Sequence, residues 1–87
     1  MEQLIAKEEI GNFRIVPAPE DHSQELSKKM EDALRLGNGY KGKANITFQT
    51  EAGPKKVETT VWAVDEHFLQ LKNGIIIPSR SLIDIVL

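Results

Sequence analysis

Cysteine is missing altogether from the 87 residues. That excludes a disulfide framework, a thiolate nucleophile and any cysteine-ligated zinc or iron–sulfur centre, and it suits a reducing compartment, the cytoplasm. Aromatics are scarce: one Trp, one Tyr and three Phe. No apolar stretch approaches the ~20 residues a membrane helix needs. Met1-Glu2-Gln3-Leu4 lacks a basic region leading into a long apolar run, so no secretory signal is expected. A basic excess is missing too. The net charge is −2 and the pI about 5.6. Residues 1–40 hold five basic side chains against eight acidic ones, residues 41–87 six against five. A dedicated phosphate-backbone binder carries a strongly basic face, which this balance does not supply.

What is present is an ordinary globular mixture, 40% hydrophobic and 28% charged. The chain is long enough for one domain and too short for a second core. Its parts read as an N-terminal strand or extension over 1–19, a helix over 21–36 and a β unit over 43–87. At this size folding buries only about 60–65% of the unfolded surface, so stability is modest unless a partner covers more.

The N-terminal part gives mixed signals. Gly11-Asn12 suits a tight hairpin turn ahead of a strand over Phe13–Val16, while 1–10 reads as strand or helix equally well. Pro17-Ala18-Pro19 ends regular structure. The helix follows, about His22–Leu36. Asp21 is its N-cap and Gln24 completes a capping box; Leu26, Met30, Ala33 and Leu34 form one apolar stripe; Gly37 is the left-handed C-terminal residue. Glu25–Lys29 and Glu31–Arg35 are spaced as i,i+4 pairs.

Beyond Gly42 the pattern is strand. Ala44, Ile46 and Phe48 alternate with Asn45, Thr47 and Gln49, and Glu51–Lys56 reads as a loop. The central stretch Val57–Val64 places Val57, Thr59, Val61 and Ala63 on one side and Glu58, Thr60, Trp62 and Val64 on the other. His67–Leu71 continues it after a polar break. Asn73-Gly74 signals a type I′ hairpin into Ile75–Ile77, Pro78–Ser81 a turn of 3₁₀ helix, and Leu82–Leu87 a last strand apolar on both faces apart from Asp84. The expected fold is therefore mainly β within the α+β class: one amphipathic helix packed on a small five-stranded antiparallel barrel of SH3-like or Sm-like form. The runs Val57–Trp62, Ile75–Pro78 and Leu82–Val86 resemble those of a group of small bacterial proteins of unknown function. The resemblance covers about residues 37–87; it implies a fold and transfers no functional residues.

No motif for chemistry stands out, and the chain is read as non-catalytic. Gly37-Asn-Gly39-Tyr-Lys-Gly42 matches G-x-G-x-x-G, but a dinucleotide site must follow a strand and open a helix, the reverse of the order here. Asn45-Ile-Thr47 fits a glycosylation acceptor only in a secreted chain. His22 and His67 lack metal-ligand spacing, and Asp65-Glu66-His67 is accounted for as a polar turn. Glu58, Asp65, Glu66 and Asp84 are the carboxylates available to pair, and none of the serines sits in a nucleophile elbow. No metal and no cofactor is expected. The candidate binding surface is Tyr40, Lys41, Lys43, Lys55, Lys56 and Trp62: four lysines expected at adjoining ends of the first hairpin, with two amphipathic aromatics, of which Trp62 is read first as core and second as interface. Two functions follow from this reading. The first is a non-catalytic protein-interaction or regulatory module that binds a protein partner or assembles with itself, with the doubly apolar Leu82–Leu87 strand and open sheet edges as motive. The second is binding of RNA or single-stranded DNA through the Lys/Tyr surface. No membrane partner is expected.

Overall fold

The computed structural model describes residues 3–40 and 42–87, with backbone alone at Gln3, Lys7, Ser23, Asn38, Tyr40 and Asn73. The described residues form one α-helix and seven strands in two sheets, an α+β arrangement richer in strand than the five-stranded expectation. The first sheet contains β1 (Gln3–Ile5), β2 (Ala44–Thr50), β3 (Gly53–Thr59) and β7 (Leu82–Val86), in the order β1-β3-β2-β7. The second contains β4 (Val61–Val64), β5 (Phe68–Leu71) and β6 (Ile76–Pro78), in that order. Neither sheet closes on itself. Only Thr60 separates β3 from β4, so a single bent run feeds both sheets.

Alternation builds the core. On β2, Ala44, Ile46 and Phe48 turn inward opposite Thr59, Val57 and Lys55 of β3, and Ile85 and Leu82 of β7 meet Ile46 and Phe48 on the same face. Val61, Leu69, Leu71 and Ile77 supply the second sheet's share, all buried. The helix α1 (Ser23–Tyr40) packs on β4 and β7 with Leu26, Met30 and Ala33 buried and Leu34 partly so, as its apolar stripe dictates.

Several local expectations are corrected. The helix does not stop at Gly37 but runs to Tyr40. Gly37 is inside it and buried, because α1 lies there against the backbone of β4. Glu25 and Lys29 do not pair with each other: Glu25 takes the His22 ring at 3.3 Å and Lys29 reaches across to Asp84 of β7 at 3.3 Å. Gly11-Asn12 ends a 3₁₀ segment, Lys7–Asn12, and is no hairpin turn. The chain preceding it, β1, joins the sheet parallel to β3, which a two-residue connection cannot produce. Phe13–Val16 is not a strand; Ile15 makes a single bridge to Thr50. The expected loop Glu51–Lys56 contracts to the turn at Glu51-Ala52, since Gly53 adopts φ +105° and lets β3 start at once. The β5–β6 hairpin forms, but through a 3₁₀ turn over Lys72–Gly74 instead of a two-residue type I′ turn. The 3₁₀ turn before the last strand falls at Ser79–Ser81. That strand, β7, pairs only with β2 among the described strands, and its end is uncovered: Val86 is 50% and Leu87 56% exposed.

Candidate functional site

Of the six residues singled out in the sequence, the four whose side chains are described, Lys43, Lys55, Lys56 and Trp62, do not form one surface. Lys41 lies outside the described residues, and Tyr40 is placed only as the last residue of α1. Lys43 is exposed just before β2, beside the end of β3. Lys55 sits opposite Phe48, four residues further along the ladder from Ala44, roughly 13 Å at the rise of a strand. Lys55 also faces inward. It is 9% exposed, with its ammonium 5.1 Å from the centroid of the Phe13 ring. The turn contraction explains this, because bringing Lys55 into β3 puts it on the same face as Val57 and Thr59. Lys56 takes the opposite face, beside Leu4 and Thr47.

Trp62 is the second correction. It is 50% exposed and not part of the core. Between Val61, opposite Leu71, and Ala63, opposite Gln70, β4 advances two residues while β5 advances one, so Trp62 is the extra residue of a β-bulge. The bulge also shifts the alternation downstream. Ala63 now shares the outer face with Gln70, and Val64 faces Leu69 and packs on the core, the reverse of the strict period-2 reading.

These shifts assemble a surface that period-2 reading does not anticipate. Row by row, Ala63 is opposite Gln70 and Gln70 opposite Ile76, while Phe68 is opposite Pro78. Leu69 and Ile77 point inward, so Phe68, Gln70, Ile76 and Pro78 point out. The outer face of the second sheet is thus Ala63, Phe68, Ile76 and Pro78 beside the bulged Trp62, with Gln70 alone polar in the paired rows. Ile76 is 51% exposed. The signal for Phe68, Ile76 and Pro78 is in the sequence: apart from Gln70, β5 and β6 are apolar on both faces, yet only Leu69, Leu71 and Ile77 are buried.

A second feature is a cleft of about 260 Å³ at the corner between the sheets, lined by Ala6, Glu8, Lys43, Glu58, Thr59, Thr60 and Lys72. Thr59 Oγ1 is buried there with no hydrogen-bond partner among the described residues. The lining mixes two ammonium and two carboxylate side chains, on four exposed residues, with the hydroxyls of Thr59 and Thr60. Among the described residues no three His, Asp or Glu side chains gather as a metal site, and no helix is long and apolar enough to cross a membrane. No family model matches the sequence, and no curated protein or solved structure is significantly similar to it.

Proposed function

We propose that this chain is a non-catalytic protein-interaction module that assembles with itself through the outer face of its second sheet. One observation carries the reading: Trp62 and Ile76, each half exposed, flank a face whose other paired members are Ala63, Phe68, Pro78 and a single polar Gln70. Contiguous apolar patches of this kind on a soluble domain mark interaction sites, and tryptophan is prominent among residues that dominate binding energy. The exposed Val86 and Leu87 at the end of β7 add a second apolar edge. For the fold, the bent run Gly53–Val64 supports an SH3-like or Sm-like reading, since joining the sheets through Thr60 gives the five-strand order β7-β2-β3/β4-β5-β6 with β1 appended. The absence of cysteine supports a cytoplasmic setting.

Nucleic-acid binding loses its motive, because Lys55 is inside the fold and Lys43 and Lys56 are separated along the first sheet. Sedimentation equilibrium tests the preferred reading. The native chain is expected to assemble as concentration rises, and Trp62→Ser with Ile76→Ser to remain monomeric at unchanged melting temperature. A native chain that stays monomeric at the highest soluble concentration overturns it.

A further inference from the structure

The groove between α1 and the β4–β5 turn differs in character from the sheet face. Its floor is apolar: Met30 and Leu34 of the helix and Val64 of β4. Its rim is acidic, with Glu31 from the helix and Asp65 and Glu66 from the turn. The space is about 360 Å³, and it adjoins a shallower one of about 220 Å³ that shares Ser27, Met30 and Glu66 and reaches Gln24. No described lining residue is basic. Two of the rim carboxylates are held in place locally. Asp65 Oδ1 accepts the backbone N–H of His67 at 3.1 Å, and Glu66 Oε1 lies 3.2 Å from His67 Nε2. Lys29, next to Met30 on α1 but not part of the lining, is engaged with Asp84 of β7.

We infer that this groove is the docking site for a short basic amphipathic segment of a partner protein, with Leu- or Met-sized side chains on the Met30/Leu34/Val64 floor and Lys or Arg side chains against Glu31, Asp65 and Glu66. The charge pattern selects the occupant. An apolar floor alone accepts any greasy segment, but three carboxylates with no cation among the lining repel an acidic peptide or a nucleic acid and favour a cationic one. The site is separate from the face used for self-association, so the two readings stand or fall independently.

Fluorescence anisotropy on the full chain tests it, using a labelled Leu/Lys peptide with leucines at helical i, i+3, i+4 spacing and a Leu/Glu peptide of the same pattern. The cationic peptide is expected to bind, with affinity that falls as salt rises, and the acidic one not to bind. Glu31→Gln/Asp65→Asn/Glu66→Gln is expected to weaken the cationic peptide about tenfold, three exposed charge pairs contributing modestly each. Glu8→Gln/Glu20→Gln/Glu58→Gln removes the same charge from elsewhere on the surface and is expected to leave binding within about twofold, a difference of a few tenths of a kcal/mol. Trp62→Ser is expected to have no effect on it. Equal affinity for both peptides, no binding of either, or equal losses in the two triple variants would each overturn the assignment. All six substituted carboxylates are exposed, and Asn at 65 keeps the turn's acceptor, so the variants remain folded.

Discussion

Gly37 of α1 touches the backbone of β4: a Cβ at this position would lie 2.5 Å from the Val61 carbonyl oxygen and 3.0 Å from Thr60 Cγ2. Two turns of preference compete here. Alanine is the better helix former by about 1 kcal/mol, yet the helix can lie this close to the strand only without a side chain. Gly37→Ala is expected to lower stability by about 1–3 kcal/mol, the cost of overpacking a tight contact with immovable backbone. Gly39→Ala, in the same helix with nothing within 4 Å, is expected to raise it by about 0.5–1 kcal/mol. Urea denaturation of the two variants settles the sign of each.

Thr59 and Thr50 are both buried β threonines with opposite fates. Thr50 Oγ1 donates to the Gly53 carbonyl at 2.7 Å and accepts the Ala52 N–H at 3.1 Å, while Thr59 Oγ1 has no partner among the described residues. Thr59→Val is expected to stabilise by about 1 kcal/mol, since it removes an unsatisfied hydroxyl without changing shape, and Thr50→Val to destabilise by about 1–3 kcal/mol. Melting temperatures moving in the same direction would refute the assignment.

Lys55 and Lys56 are neighbours in sequence and strangers in structure. Lys55→Ala is expected to cost about 1–3 kcal/mol, through the buried stem and the lost Phe13 contact. Lys56→Ala, on the more open outer face, is expected to stay within about 0.5 kcal/mol. Chemical denaturation midpoints give the comparison.

Lys29 and Asp84 tie the helix to the last strand at 3.3 Å, both about half exposed. A double-mutant cycle is expected to return a coupling of about 0.2–1 kcal/mol at low salt that fades as salt is added. A larger, salt-insensitive coupling would mean the pair is shielded from water.

Where local chemistry and tertiary packing agree, the sequence was legible. The stripe Leu26, Met30, Ala33 and Leu34, the alternation of Ala44–Phe48 and the 3₁₀ turn at Ser79–Ser81 all follow from period and turn chemistry, and all are found. The failures share a cause: a non-local contact overrides a local signal. Gly37 reads as a helix terminator until β4 lies against it. The parallel pairing of β1 with β3 links residues some fifty positions apart, beyond any local pattern. The face proposed for self-association was the least legible. Trp62 in a strand normally argues for the core, and nothing in its neighbours' identities announces that the ladder takes an extra residue there.

That extra residue decouples the proposed recognition surface from the architecture. Because Val61 and Ala63 each have a β5 partner and Trp62 has none of its own, deleting Trp62 would close the ladder into regular register with Val61, Ala63 and Val64 keeping their present partners. Loss or gain of a single codon at this position can therefore erase or create the exposed aromatic of the proposed contact face while the hydrophobic interior stays as it is.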